Sequence, residues 1–518
     1  MANAINIKRS QVASLMDQLR QNAAAEQKLS EKDEHEILEK LKVFGRTVSG
    51  SDAIYSSDGI SLLSDVAFRG NTPEPSREAL RCLANAMFLD RQTSQYFTDR
   101  GYVEKASEAY KVSESHDDEF LLGRILFFVT TYSQTNGLII KCVNEHDLAK
   151  NTQAAISRHA VAYANAASTS RIISQMAGMA LQETLKLLYT LTAKLEDLKA
   201  ELFSPLVPDL LKILISISVP TASSLQPPIH HILDALSNIP LDTDSSKAAL
   251  FPEDDPTKYL TRIVKVLDGA AQISSGPSSR SAQTDEFDDR GASLLKLLHD
   301  IYPIAPEPAQ EFLRLSLLPT DTERNLPLGS RTSTTLPARL LRLSSSPSTT
   351  NTRTILSTLL FVVSDSDPGK FIQNVGYGHA SGYLMMRGIP IPPEALEEAG
   401  VSDKQGRRIN PVTGQFIEDE IKAMEASGIG GLDEMTEEEK EREAEKLFVL
   451  FERLNKTGVI NVENPVRTAM QEGRFEEIHS DNEEDDEDEE GGGGGGGGNN
   501  SAEGKGKGKA KETTAKQA

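Results

Sequence analysis

Five eight-residue stretches of this chain repeat one arrangement of apolar and polar positions. They are residues 79–86, 122–129, 184–191, 232–239 and 355–362. Each reads broadly as apolar, apolar, polar, variable, Leu, variable, a seventh position, then apolar. The stretches start 43, 62, 48 and 123 residues apart. The first three spacings bracket the roughly 40–47 residues of a HEAT or armadillo unit, and the last leaves room for an unrecognised repeat plus insertions. Apolar spacing of this kind predicts helices, and no alternating strand run interrupts it between about residues 30 and 389. Helices this apolar must stack on neighbours, so the expected fold is all-α, a curved armadillo/HEAT-like α-solenoid. The seventh positions are Asn85, Phe128, Thr190, Asn238 and Phe361. In armadillo units the equivalent Asn often faces the concave groove and hydrogen-bonds the backbone of a bound segment. Asn85 and Asn238 fit that role; the plainer alternative is that they tie adjacent helices.

Beyond the repeats, Thr436 followed by Glu439 makes a capping box, and residues 437–439 put negative charge at the positive end of a helix dipole. Ala444, Leu447, Phe448, Phe451 and Leu454 then fall on one apolar stripe. Glu438 with Arg442 and Glu452 with Lys456 are i,i+4 pairs on the polar side, and Gly458 offers a stop. Such a helix, placed after a long helical body, either grips a partner or packs on its own domain. The domain expectation is a solenoid over residues 1–393, a connector over 394–432, a clamp-helix region over 433–475 and a disordered tail over 476–518. Ser-, Pro-, Asp- and Gly-rich loops are expected near 242–257 and 274–289. The tail holds an acidic run, eight glycines and a Gly/Lys alternation, which cannot build a core.

A chain of 518 residues exceeds a single compact core. Its formal charge of −22 owes much to residues 481–490, where nine of ten are acidic. A negative body without a basic stripe argues against a nucleic-acid partner. Cys82 and Cys142 are too few for a disulfide scaffold or a four-cysteine zinc site and read as buried, inert thiols. The N-terminus lacks a secretory pattern. The apolar stretches 120–129 and 206–219 fall short of a spanning helix. The expectation is a soluble, cytoplasmic monomer without direct membrane insertion.

Candidate chemistry is sparse. Residues 376–382 superficially resemble a phosphate-cradling loop but lack the G-x-G-x-x-G spacing and the flanking strand. They read as a tight turn before a helix over 381–387. His230 and His231 suggest a metal, yet no carboxylate or Cys is expected at ligand spacing, so the pair reads as a helix start after Pro227 and Pro228. No G-x-S-x-G elbow or H-E-x-x-H motif occurs. No catalytic residue, cofactor or metal is therefore expected. Ser480, beside the acidic run, fits an acidophilic-kinase site.

Residues 78–88, 123–130, 370–382, 409–414 and 435–441 resemble, in order, segments of the synembryn family, the resistance-to-inhibitors-of-cholinesterase proteins. The resemblance spans roughly residues 79–462, and its last three blocks are the specific ones. It implies a guanine-nucleotide exchange factor and folding chaperone for heterotrimeric G-protein α subunits. Such a factor binds the GDP-bound α subunit free of βγ and stabilises its nucleotide-free state. By family position, Arg81, Asn85 and Arg124, with Asn238 further along, are implied as groove contacts for the α subunit. Leu447, Phe448, Phe451 and Leu454 are implied as clamp anchors, and recruitment to the plasma membrane or cell cortex would come through the α subunit. Two departures stand out. Thr190 replaces an inner-helix Asn, and the segment 462–473 carries a single hydroxyl, Thr468, where animal members carry regulatory Ser and Thr. The alternative reading is an armadillo-type scaffold that holds a partner peptide without exchange activity.

Overall fold

Seven helices carry the architecture of this computed structural model. They are α1 Glu31–Phe44, α2 Pro73–Leu89, α3 His116–Tyr132, α4 Gln175–Lys194, α5 Ile229–Asn238, α6 Gln283–Ile301 and α7 Thr352–Val363. The structure describes residues 2–24, 29–69, 73–111, 113, 115–133, 136–220, 223–274, 283–320, 334–346 and 349–392, with 419 and 422. The chain divides into two units, Met1–Gly428 and Ile429–Ala518, and the described helices belong to the first. Among the described residues every regular element is helical and no strand occurs. The expected helix over 436–454, its anchors, the segment 409–414 and Ser480 all lie outside the described residues.

Each of α1 to α7 packs against the next, giving one continuous layer. A second layer covers it. Ser57–Ala67 packs on α2, Tyr102–Lys111 on α3, Leu148–Thr169 on α4, Val207–Ser216 on α5, Lys258–Ser274 on α6 and Leu336–Ser345 on α7. Two stacked layers of paired helices make an all-α solenoid, in which each unit buries its apolar face on its neighbours.

The repeat pattern explains the burial. Leu83, Leu126, Leu188, Leu236 and Leu359, the fifth positions of the five stretches, are all buried, as are the first positions Ala79, Leu122, Thr184 and Ile232, while Ile355 is half-buried. Each fully buried leucine contributes roughly 1.5–3 kcal/mol. The long gap between the fourth and fifth echoes holds α6. Its residues 294–301 follow the same pattern, with Leu294, Leu295, Leu298 and Ile301 all fully buried. They begin 62 residues after Ile232 and 61 before Ile355, so one further unit fills the gap. Residues 37–44 of α1 follow it too, with Leu38 and Leu41 fully buried.

Capping sets the starts of the layer. Ser30 accepts a hydrogen bond from Asp33 N, Ser115 from Asp117 N and Ser174 from Ala177 N, each satisfying an otherwise orphaned donor. Two stretches read as loops from composition contain helix. Thr243 caps Asp244–Leu250 within 242–257. Within 274–289, α6 begins at Gln283, and its Asp288 carboxylate accepts from Thr352 N at 2.8 Å and Asn351 N at 3.0 Å, capping α7 across the layer. Ser, Thr and Asp at these points act as caps rather than loop formers. Gly376, at φ +84°, separates Pro368–Val375 from Tyr377–Met386. The second of these helices therefore starts four residues before the expected Ser381, because glycine allows the reversal within one residue.

Candidate partner-binding face

The third position of each repeat unit is polar, and stacking brings these side chains into a row. From α2, α3 and α4 come Arg81, Arg124 and Lys186, joined by Lys42 from α1. Buried carboxylates position them. Lys42 Nζ lies 2.7 Å from Glu78 Oε2, and Arg81 pairs with both Glu78 and Asp117. Arg124 Nη2 donates to Glu183 Oε1 at 2.6 Å, and Lys186 Nζ to the same oxygen at 2.8 Å. The side chains of Glu78 and Glu183 are 5% and 3% exposed, against 30% and 34% for Arg81 and Arg124. Negative charge is thus withdrawn into the layer while the guanidinium edges reach solvent. Burial works to raise the pKa of Glu78, but the hydrogen bond from Lys42 and the nearby Arg81 charge hold it below the ordinary carboxylate range. It remains an anion that fixes two cations in place.

Between α1, α2 and α3 this row borders a cleft of about 270 Å3 whose walls include Lys42, Arg46, Arg81, Asn85, Phe120 and Arg124. The Arg124 guanidinium stacks 4.4 Å from the Phe120 ring centroid, and the N–H groups that Glu183 does not use can meet a carboxylate or carbonyl. Asn85 is half-buried and, among the described residues, makes no hydrogen bond. Its amide can both donate and accept, the combination that an extended or helical backbone end requires. Beside the cleft, Phe88 is 69% exposed and packs 6.1 Å from Phe128, which stacks on Tyr132. An apolar strip thus adjoins the cationic one.

Of the residues marked in the sequence, Arg81, Asn85 and Arg124 come together here. Asn238 does not. It sits two units away, where its Nδ2 donates to Thr192 Oγ1 at 3.2 Å and ties α5 to α4. Thr190 and Phe128 are buried, and Thr190 hydrogen-bonds Thr130 at 2.9 Å. Lys42, Arg46, Phe120 and Lys186 escaped sequence reading. The first and last lie 39 and 62 residues from Arg81 and Arg124 in turn, so no basic stripe shows along the chain. The usable signal was register, since Lys186 stands at the same third position as Arg81 and Arg124.

His230 and His231 do open α5 after Pro228. The expectation that no carboxylate lies at ligand spacing is corrected: Asp234, three residues beyond His231, is within reach, with Asp234 Oδ2 3.8 Å from His231 Nδ1. Burial, followed by the neighbouring His231, pushes the His230 imidazole down to about 4. Cys82 and Cys142 are buried and free, and burial pushes the Cys82 thiol up to about 12, which keeps it a thiol at neutral pH. Among the described residues, no helix is long and apolar enough to cross a membrane.

Comparison with known proteins adds to this geometry. A family model described as guanine nucleotide exchange factor synembryn matches residues 37–474. A protein named chaperone Ric-8A from Macaca fascicularis is 24% identical over 454 residues, covering 82% of this chain and 81% of its own length. Chaperone Ric-8A from Bos taurus is 24% identical over 460 residues, with the same coverage. A synembryn-like chaperone from Schizosaccharomyces pombe is 31% identical over 173 residues, 31% of each chain.

Proposed function

This chain belongs to the synembryn family, and from that premise we propose that it binds heterotrimeric G-protein α subunits, promotes guanine-nucleotide exchange on them and chaperones their folding. In this reading it captures the GDP-bound α subunit free of βγ. The observation that carries the proposal is the convergence of Lys42, Arg81, Asn85 and Arg124 on one cleft, with their counter-charges buried. Partly exposed cations held on buried carboxylates suit the carboxylates and backbone carbonyls at the end of a captured helix, and the Phe88 strip suits its apolar side.

No covalent chemistry is needed. Withdrawing a terminal helix of the α subunit loosens the site that holds the guanine ring. Exchange follows if the factor binds the open, empty state better than the closed one. Moving that equilibrium from 1:99 to 99:1 takes about 5.5 kcal/mol of preference. A second grip by Leu447, Phe448, Phe451 and Leu454 would share that load. Phosphorylation at Ser480 would add charge to an acidic tail. The working location is cytoplasmic, with membrane or cortical recruitment supplied by the α subunit.

The test is the affinity of the Arg81→Ala, Arg124→Ala double variant for a purified GDP-bound α subunit. Glu78 keeps Lys42 and Glu183 keeps Lys186, so the buried carboxylates stay paired and the fold survives. We expect binding weaker by at least about tenfold, or ~1.4 kcal/mol, with an unchanged melting curve. Unchanged affinity would remove the cleft from the account. A stable complex without faster exchange would favour the scaffold alternative.

A further inference from the structure

We propose that His230, His231 and Asp234, at the start of α5, bind one divalent transition-metal ion of the class that prefers imidazole, with zinc the best match. One ligand atom from each residue lies within 4.8 Å of the others, and all three residues are half-buried. The two imidazole rings stand 3.8 Å apart, centroid to centroid. Small side-chain rotations therefore bring the three donors onto one ion.

A second observation points the same way. The Nδ1 atom of His230 is buried and, among the described residues, makes no hydrogen bond. A bare buried nitrogen costs about 1–3 kcal/mol, and a bound cation is a chemistry that recovers it. Two imidazoles and a carboxylate form a three-ligand set that suits zinc and leaves a fourth position for water. Calcium and magnesium want oxygen ligands and are poorly served here. Because the donors span five residues of one helix, the site needs no long-range rearrangement to form.

The surroundings limit the affinity. The charge of Arg290, on α6, acts on His230 and competes with an incoming cation. Asp234 occupies the third repeat position, in register with Arg81, Arg124 and Lys186. A bound ion would therefore place positive charge where the row of cations is interrupted.

The experiment is calorimetric titration of Zn2+ into the full chain after chelator treatment, repeated with Mg2+ and with the variants His231→Ala and Asp234→Asn. We expect uptake of one Zn2+ per chain and no response to Mg2+. Asp234→Asn should weaken binding at least about tenfold, and His231→Ala should abolish it. Circular dichroism checks that each variant is folded, and His231→Gln replaces any that is not. Absence of stoichiometric Zn2+ uptake, or uptake unchanged in a folded variant, overturns the proposal.

Discussion

The two halves of the solenoid are built from the same repeat and use its polar positions in opposite ways. In α2 to α4 the third-position cations are propped on carboxylates buried in the layer, with Lys42 of α1 beside them, and Asn85 makes no hydrogen bond of its own among the described residues. In α5 to α7 the same positions carry Asp234, Lys296 and Ser357. Lys296 donates to Ser237 O and to Asp300, both at 2.6 Å, while Asn238 is committed to Thr192. The later half ties itself together, and the earlier half keeps hydrogen-bonding capacity for something else. A repeat thus specifies where a polar side chain stands, but its neighbours decide whether it is available.

The sharpest way to break this comparison is through the core, where the halves should behave alike. Leu126→Ala in α3 and Leu298→Ala in α6 both empty fully buried positions and should each cost about 3 kcal/mol, within the range for such truncations. Hydrogen exchange on each half reads the loss locally, which matters because a solenoid need not unfold in one step. A cost well under 1 kcal/mol in α6 would mean that its unit is not part of the continuous layer.

Next in size is the buried polar tie of the earlier half. Glu119 Oε1 accepts from Thr184 Oγ1 at 2.8 Å and meets His159 Nε2 at 2.9 Å. Burial works to raise its pKa, yet the His159 hydrogen bond and charge leave it lowered. A lowered carboxyl stabilises the fold above its ordinary pKa, and that stability is lost as pH falls through the folded value. The stability advantage of the native chain over Glu119→Gln should therefore hold from pH 7 to about 5 and decline below about 4.5. Glu119→Gln should cost about 2 kcal/mol at pH 7 and less in acid. A variant with the same acid profile as the native chain would show that other groups govern it.

Single side chains in the two halves should separate binding from stability. Asn238→Ala should lower stability by about 1 kcal/mol and leave affinity for a G-protein α subunit within about twofold. Asn85→Ala should do the reverse, weakening binding about threefold, or ~0.6 kcal/mol, without moving the melting curve. If Asn238→Ala weakens binding more than Asn85→Ala does, the assignment of the two halves is inverted.

Much of this was legible in the sequence because burial has a period. The five echoes fall on α2, α3, α4, α5 and α7, where their apolar positions are the buried ones. The α6 unit carries the same pattern but follows a polar, Ser-rich stretch and starts with several Asp and Glu residues, and that composition hid the helix. Arg81, Asn85 and Arg124 could be singled out because each lies inside an echo. Phe120 stands one turn before Arg124 on the same helix, but Lys42 and Lys186 become neighbours of these residues only once the units stack, so no local window could show the whole row together. Asp234 was missed as a companion of His231 because it stands in an apolar helix that looked wholly structural.

In the proposed function this chain opens the nucleotide site of a G-protein α subunit through the cleft of its earlier half. Loading of a GTP analogue onto a purified GDP-bound α subunit tests it most directly, with the native chain, with the Arg81→Ala, Arg124→Ala variant and with no addition. Loading should be faster with the native chain and near the unassisted rate with the folded variant. Equal acceleration by both chains would contradict the cleft, and no acceleration by the native chain would contradict the exchange activity itself.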